Sequence, residues 1–556
     1  MTQSNDSTDI RALVGSLDST ELDRRQLFAN LTKLGIAGAA ATALWQMGVS
    51  QAGATSAGSA AAPRFSLQDE KTLIVAIPQA TVQLDPAVAG GNGYGDIIPI
   101  NENIAEGLTR YKNGTAEIEP ALAESWTASD DGLTNVFKIR EGVTFHDGTP
   151  LDAKAVETNF LRQLDPENPL HQDNFPYVEI VFAEVDTVAA TGDYELTITL
   201  KRPITLLPAN LAVFAGGIVS PTALETYGAD YSDHAAGTGP FKLDSWTKDV
   251  ELVLVANDDY WGGRPALDKV VFRTISDDTV RIAELTTGGI DVANQIDFKD
   301  VASVEGNPDL QLITGPFWNV QFLGFNQSVA PFDNLQFRQA LQYAINKQNI
   351  SDAVFYGNYT LGGGPVAPGL LGYDETLETK YAYDPDQAKS LITESGVTEL
   401  SFDLYNRTNS FWPILGQLIQ ADLAEVGVTV NLVSLEDAEF FDALNTEGKV
   451  GAFLNDWTWD NGDPDNIIYS LYASPRAETR LGLSNDQIID LTAQAQTEAD
   501  QATREELYKQ IQGILLDESV SVFLGYPSRA IGTVAGVTGL VLSPIGNIVL
   551  RPVDLA

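Results

Sequence analysis

The sequence predicts a mixed α/β protein with more than one lobe. Strand-like and helix-like segments alternate along the chain, and no short-period repeat is visible, which argues against a solenoid or a propeller. The chain has 556 residues, 44% of them hydrophobic, which is more than one small core needs. Two or more lobes are therefore expected.

Three segments show the patterns of β-strands. Residues 72–77 form a short apolar run that is typical of a buried strand. Residues 194–200 alternate with period two, as expected of a strand with one buried face. Residues 428–433 are predicted to form another strand, and the Asp-Asp-Gly sequence at 130–132 indicates a hairpin turn.

Three other segments show helical spacing of their apolar residues. The first, residues 332–350, is predicted to be one helix that Asp333 or Asn334 could cap. The second, residues 384–396, has a proline near its first turn and a glycine near its end, as helices prefer. The third covers residues 411–426. The mixture of strands and helices predicts α/β layers.

The composition restricts the classes of function. The net charge is −43, with 76 acidic and 33 basic residues, which argues against nucleic acid and anionic membranes as partners. The acidity suits either a solubility surface in a saline exterior or a preference for cationic ligands. The absence of cysteine excludes disulfides, cysteine nucleophiles and a lipid anchor on cysteine. The histidines, His146, His171 and His234, are widely spaced, so we expect no metal site and no cofactor.

Residues 1–62 have the order of an export signal. The pair Arg24-Arg25 follows a polar stretch. An Ala/Gly-rich run, residues 34–49, and a small-residue tract, residues 51–62, come next, and the tract contains A-x-A-like cleavage sites. The adjacent arginines resemble a twin-arginine signal. The apolar run is shorter than the ~20 residues of a spanning helix, so we expect cleavage and a periplasmic or extracellular protein without a lipid anchor.

Five blocks of sequence, in order along the chain, carry a resemblance to a known family. They are Leu84-Asp85-Pro86, the segment from Pro120 to Pro150, the segment from Gly237 to Phe241, the segment from Asn257 to Pro265, and Phe325-Asn326 with Pro331-Phe332-Asp333 and Arg338-Gln339-Ala340. Together they resemble extracellular solute-binding protein family 5, whose members serve peptide and nickel ABC importers. Any one block is weak evidence, but their number and order identify the family.

The resemblance implies a fold and a division of the chain. It implies a two-lobed periplasmic-binding-protein fold of type II, similar to the large members of cluster C, with mixed sheets in each lobe and a hinge between them. The larger lobe would contain residues 65–317 and 524–556, and the smaller lobe residues 318–523. Two chain crossings between lobes make a hinge that closes around a ligand. The implied partners are a membrane permease and an ATPase, and we expect a monomer.

The stretch from 455 to 466 is the candidate ligand site. It combines four aspartates with Trp457 and Trp459, and aromatic faces with a few placed polar groups are what a small-ligand pocket needs. The same composition would also suit an acidic turn with core tryptophans. The resemblance implies that Asp460, which precedes Asn-Gly-Asp-Pro, receives the α-ammonium group of a dipeptide. Trp459 stands where the family usually has a smaller residue.

A dipeptide is a zwitterion and needs a cation at its other end, about 7 Å away. Arg407 lies where dipeptide binders of the family carry a carboxylate-binding arginine, and a guanidinium suits a carboxylate. The alternative is a surface arginine near a helix start. Tyr405 and Trp412, with Trp457, are candidate walls of the pocket, although large aromatic residues are also common in cores.

The expected function is therefore capture of a dipeptide or short peptide between two lobes. The alternative within the same family is that this chain binds an oligosaccharide, an opine or a nickel chelate. A secreted hydrolase is the alternative from a different class, but G-x-S-x-G, H-E-x-x-H and the P-loop motif are absent from the sequence. We expect a binding protein and not an enzyme.

Overall fold

The computed structural model describes residues 70–90, 93–172, 174–409 and 411–556. These residues belong to one compact unit, Glu70–Ala556. The predicted export signal, residues 1–62, lies outside the described residues. Among the helices of the described part, none combines the length and apolar character that crossing a membrane requires.

Strands occupy both ends and the middle of this unit. In chain order they are β1 (Thr72–Ile77), β2 (Thr109–Tyr111), β3 (Ile118–Pro120), β4 (Ala123–Ala128), β5 (Thr134–Ile139), β6 (Val185–Gly192), β7 (Glu195–Leu200), β8 (Phe241–Thr247), β9 (Glu251–Ala256), β10 (Lys269–Thr274), β11 (Val292–Ala293), β12 (Leu310–Pro316), β13 (Asn319–Phe325), β14 (Tyr359–Leu361), β15 (Ser401–Arg407), β16 (Thr429–Leu435), β17 (Ala452–Thr458), β18 (Ser521–Val534), β19 (Val537–Thr538), β20 (Val541–Leu542), β21 (Ile548–Val549) and β22 (Asp554–Leu555).

Helices separate most of these strands. They are α1 (Tyr94–Ile100), α2 (Ala153–Leu164), α3 (Val178–Val181), α4 (Leu207–Asn210), α5 (Pro221–Tyr227), α6 (Asp278–Thr287), α7 (Val301–Glu305), α8 (Leu335–Ala344), α9 (Lys347–Phe355), α10 (Pro385–Ser395), α11 (Trp412–Glu425), α12 (Asp437–Leu444), α13 (Asp465–Ile467), α14 (Pro475–Leu481), α15 (Asp486–Thr497) and α16 (Gln501–Asp517). The predicted mixture of strands and helices is confirmed.

Twelve of the described strands form one mixed sheet. Its order is β16-β15-β17-β13-β18-β11-β1-β10-β9-β8, and β12 and β14 also pair with β18. The pairs β1–β10 and β15–β16 are parallel, whereas every pair that β18 makes is antiparallel. A second sheet contains β4, β5, β7 and β6.

The long strand β18 joins the two halves of the large sheet. Its first half, from Ser521 to Pro527, pairs with β13 and β14. Its second half, from Ser528 to Val534, pairs with β12 and β11. The pairing also changes from β12 to β13 across Phe317 and Trp318, so the chain crosses between the two halves at two places.

The buried apolar residues form clusters on either side of these crossings. The buried members of the largest cluster lie between 73 and 292 and between 531 and 553. Two other clusters draw their buried members from residues 318–526. The division into lobes at 317/318 and 523/524 stays a prediction, and this segregation of cores is consistent with it.

Several local predictions agree with the structure. The strands predicted at 72–77, 194–200 and 428–433 are β1, β7 and β16, within two residues at each end. The predicted turn lies between β4 and β5, with Gly132 at φ +68°. The helices predicted at 384–396 and 411–426 are α10 and α11.

The single helix predicted over 332–350 is wrong. Asn334 caps α8, as one of the two predicted caps, by accepting a hydrogen bond from the backbone N–H of Phe337. Ile345 is then extended, and Asn346 caps a second helix, α9, by accepting from the N–H of Asn349. The side chain of Asn346 offers the backbone an alternative hydrogen-bond partner at the break, and a new helix begins there. The apolar periodicity continues across the break and therefore covers two helices.

Candidate functional site

The loop after β17 is held by its own polar side chains. Oδ1 of Asn461 accepts from the N–H of Asp463 at 3.2 Å, and Oδ1 of Asp463 accepts from the N–H of Asp465 at 2.9 Å. These are the local turns that asparagine and aspartate favour. Gly462 has φ +59°, a conformation that glycine adopts without strain. The Asn-Gly-Asp-Pro sequence therefore forms a defined turn.

Two contacts fix this turn to the rest of the protein. Nδ2 of Asn461 donates to Oδ1 of Asn210, at the end of α4, over 2.9 Å. The carboxylate of Asp463 accepts from both terminal nitrogens of Arg504 at 2.7 Å each. Asn210 precedes the first chain crossing, and Arg504 follows it. The turn is thereby attached to elements from both sides.

Asp460 lies at the start of this turn and is partly buried. Burial raises the pKa of Asp460 to about 7, because desolvation penalises the charged form. Its carboxylate accepts no hydrogen bond and forms no ion pair with any residue that the structure describes. Its negative charge and that of Asp463 act on the nearby phenol of Tyr111, whose pKa burial raises above its usual value.

Arg407, at the end of β15, is fixed by a carboxylate and an aromatic ring. Its Nη2 donates to Oδ1 of Asp456, on β17, over 2.5 Å. Its guanidinium carbon lies 4.3 Å from the centroid of the Trp412 ring, a cation–π geometry. The side chain is only 14% exposed, and its Nε is buried without a hydrogen-bond partner among the described residues.

A polar chain extends from Arg407 to the neighbouring strand. Nδ2 of Asn319, on β13, donates to Oδ2 of Asp456 at 2.8 Å. Oδ1 of Asn319 accepts from Nε2 of Gln321 at 3.1 Å. Both oxygens of Asp456 are therefore occupied, one by Arg407 and one by Asn319.

Arg407 and this polar chain line a cavity of about 820 Å³. Asp297 and Lys299, from the connection between β11 and β12, and Arg529, from the second half of β18, also line the cavity. Phe298, Phe355, Phe411 and Trp412 contribute aromatic side chains to its wall. A cavity of this size, with mixed apolar and polar walls, is typical of a small-ligand site.

The turn at 461–463 lines a second cavity, of about 940 Å³. Its walls include Trp126 and Leu206 from one side of the crossing and Trp318 and Arg504 from the other. Asp460 itself lines neither of these two cavities. The structure thus places Arg407 in one cavity and the turn that carries Asp460 at the other, and their joint role in one site stays a prediction.

The four aromatic candidates have different surroundings. Trp412 lines the 820 Å³ cavity beneath Arg407. Trp459 is completely buried in a core cluster and lines neither cavity. Nε1 of Trp457 donates to Oδ1 of Asn466 at 2.6 Å, which ties the ring to the loop itself. Tyr405 is partly buried and packs against the same core cluster as Trp459.

Sequence reasoning did not single out Asp456, Asn319 or Tyr111. Asp456 lies in the acidic stretch that was noted, but only the register of β17 against β15 and β13 places it beside Arg407. Asn319 is the partner of Thr458 in the β13–β17 ladder, and its relation to the site is equally a matter of register. No local pattern in the sequence carries that information.

Comparisons with known proteins place this geometry in a wider context. A family model described as bacterial extracellular solute-binding proteins, family 5 (middle) matches residues 117–479. Heme-binding protein A of Haemophilus influenzae is 31% identical, over 85% of this chain and 90% of its own. The dipeptide-binding protein of Escherichia coli is 31% identical, over 79% of this chain and 86% of its own.

A solved structure shows the same fold. It is the periplasmic binding protein DppA from Helicobacter pylori, associated with an ABC transporter and in complex with the peptide STSA. The TM-score is 0.72 at 28% identity, and the match covers 87% of this chain and 98% of that one. The expected two-lobed periplasmic-binding-protein class of fold is thereby confirmed.

Proposed function

We propose that this chain, which belongs to family 5 of the bacterial extracellular solute-binding proteins, captures a short peptide by its amino end and delivers it to an ABC importer. The observation that carries the proposal is the partly buried carboxylate of Asp460, which has no hydrogen-bond or ion-pair partner among the described residues and whose pKa desolvation raises. The printed functions of two relatives, dipeptide binding and binding of the peptide STSA, support a peptide as the ligand class.

The environment of Asp460 suits an ammonium group. A buried carboxylate is costly unless a cation or hydrogen-bond donors compensate it, and the raised pKa of Asp460 is the sign of that cost. A ligand ammonium would supply both a positive charge and hydrogen-bond donors. Of the neighbouring carboxylates, Asp463 is already paired with Arg504, and Asp465 accepts from Gln496 through Oδ2, while its Oδ1 is buried without a partner among the described residues.

The rigid surroundings of Asp460 support the same role. Asp460 lies between the fully buried Trp459 and the turn that Arg504 and Asn210 hold. A binding group on such a support loses little freedom when the ligand arrives, so less of the interaction energy is spent on ordering. Closure of two lobes over the ligand would then remove water from the ion pair.

The remaining parts of the proposal concern transport. The protein would be exported by a twin-arginine-type signal, act in the periplasm or outside the cell, and dock on a permease with its ATPase. The relatives are named as binding proteins and not as enzymes, which supports capture without chemical conversion. Arg407 stays the proposed contact for the far end of the ligand.

A thermal-shift screen of the mature chain tests the proposal. The ligands are dipeptides, tripeptides, an oligosaccharide, an opine and nickel–histidine, each with and without the Asp460→Asn substitution. A ligand at 100 times its Kd stabilises the folded state by about 2.7 kcal/mol. We expect peptides to raise the Tm of the wild type and not of D460N. A shift with sugar, opine or chelate and none with peptides would overturn the proposal.

A further inference from the structure

The guanidinium of Arg407, the proposed contact for the far end of the ligand, is already bound to a carboxylate of the protein. Nη2 of Arg407 donates to Asp456, and Asn319 holds the other oxygen of that carboxylate. The ring of Trp412 covers one face of the guanidinium. The ion pair is therefore held on several sides, and its net charge is zero.

We infer that Asp456 is a specificity-determining residue, and that this chain selects peptides whose far end at Arg407 is an amide or a continuing main chain and not a free carboxylate. The inference rests on the proposed function. It names the class of peptide that the proposed site would accept, and it follows from the contact between Asp456 and Arg407.

A free carboxylate meets two unfavourable alternatives at this pair. If it binds beside Asp456, two negative charges share one guanidinium, and like charges at this separation repel. If it displaces Asp456, one arginine–carboxylate pair is exchanged for another, and Asp456 is left with only Asn319 as partner. Neither arrangement gives the full gain of a carboxylate that meets an unoccupied arginine.

An amide group matches the pair better. The Asp456 carboxylate accepts hydrogen bonds, and the guanidinium of Arg407 carries N–H donors besides the one on Nη2 that Asp456 accepts. A peptide amide carries one donor and one acceptor side by side, so it can complement both groups without adding charge. A carboxylate has acceptors only and can complement just one of them.

The cavity leaves room for a ligand that continues past the pair. Its volume of about 820 Å³ is far larger than a terminal carboxylate requires. Its lining includes the aromatic residues Phe298, Phe355 and Phe411. Such walls offer contact area to a further residue of a peptide.

Calorimetry with two probes, alanyl-leucine and alanyl-leucinamide, tests the inference on the wild type and Asp456→Asn. We expect the wild type to bind the amide at least about tenfold more tightly than the acid, because a modest difference in one charge–charge interaction changes the Kd by this factor. In D456N the acid gains affinity and the ratio falls by about tenfold or more. Asp456→Ser replaces D456N if the latter does not show a cooperative melt.

Asp297→Asn is the matched control. Asp297 lines the same cavity, pairs with Lys299 and makes no contact with Arg407, so its loss removes the same charge without freeing the arginine. We expect the ratio in D297N to equal that of the wild type. Measurement in 0.5 M NaCl, where the Debye length is below about 8 Å, suppresses attraction of the cationic amide by the net charge of −43.

The outcomes separate the inference from the proposed function. A wild type that binds the acid as tightly as the amide overturns the inference and leaves the proposed function standing. An equal change of the ratio in D456N and D297N also overturns it, because the effect would then be one of bulk charge. Failure of both probes to bind any variant overturns the proposed function, and the inference with it.

Discussion

The carboxylate of Asp463 and the guanidinium of Arg504 form two parallel hydrogen bonds of 2.7 Å each, in a buried setting. Nη2 of Arg504 also donates to the hydroxyl of Tyr508, one turn further along α16. This pair connects the turn that follows Asp460 to a long helix. The position of Asp460, the proposed ammonium-binding group, therefore depends on a contact with a residue about forty positions further along the chain.

Breaking this pair should destabilise the protein and weaken peptide binding. In Arg504→Met the buried charge of Asp463 loses its partner, which costs about 3–5 kcal/mol. We expect a lower Tm and, at a temperature where the variant is folded, weaker peptide binding by calorimetry.

Arg162→Met is the matched control for that variant. Arg162 forms a bidentate pair with Asp85, at 2.7 and 2.6 Å, that is even more deeply buried. Its loss should lower the Tm to a similar extent and leave peptide affinity unchanged. Equal affinity in R504M and R162M would show that the Asp463–Arg504 pair does not position the site.

Gly462→Ala should disturb the same turn from a different side. A Cβ at this position would lie 2.6 Å from Cζ3 of Trp318, and φ is +59°. The positive φ alone costs about 1 kcal/mol, and the contact forces the turn or the indole to move. We expect a lower Tm and peptide binding at least about tenfold weaker, by calorimetry.

Gly427→Ala separates the effect of the positive φ from the effect of the contact with Trp318. Gly427 has φ +85°, but a Cβ there would meet nothing within 4 Å. G427A should therefore lose a similar amount of stability because of its positive φ, which a melting experiment measures as a lower Tm. It should bind peptide as the wild type does. A G462A protein that binds peptide normally would contradict the role of the turn.

The affinity for peptides should rise with pH and reach a maximum near neutrality. With a pKa of about 7, Asp460 is mostly neutral at pH 5, so an ammonium ligand must first remove its proton. Each pH unit below 7 should then weaken binding by up to about tenfold. Above about pH 8 the ligand's α-amino group loses its own proton, and binding weakens again.

Calorimetry from pH 5 to 9 in two buffers of different ionisation enthalpy checks this dependence. At pH 6 the wild type should release about one proton for each peptide bound. Asp460→Asn should remove both the rise between pH 5 and 7 and the proton release. A wild-type affinity that is flat between pH 5 and 7 would contradict the assignment of Asp460.

The sequence predicted the local elements of this fold better than it predicted the site. Asp384 and Gly396 cap the two ends of α10, whereas Pro413 lies in the first turn of α11 and Gly427 follows its end, and these signals are local in sequence. The one error among the helices, at Ile345, arose because apolar spacing continued across a break that Asn346 creates. The capping signal of Asn346 was visible in the sequence, but the helix prediction followed the apolar spacing instead.

The candidate site depends on strand register, which the sequence does not show directly. Arg407 and Asp460 were predicted from a resemblance, whereas the contact of Arg407 with Asp456 follows from the pairing of β15 and β17. The complete burial of Trp459 likewise depends on packing against Trp318 and its neighbours in the core. Contacts between distant segments of this kind require the assembled sheet.

The most direct test of the account compares one peptide with a free and an acetylated amino end, on the wild type and on D460N, by calorimetry at pH 7.5. Removing one partner of a desolvated charge pair costs about 2–5 kcal/mol, so acetylation should weaken binding to the wild type by about thirtyfold or more. The same acetylation should change binding to D460N little. Equal affinity of the wild type for both forms would contradict an ammonium at Asp460.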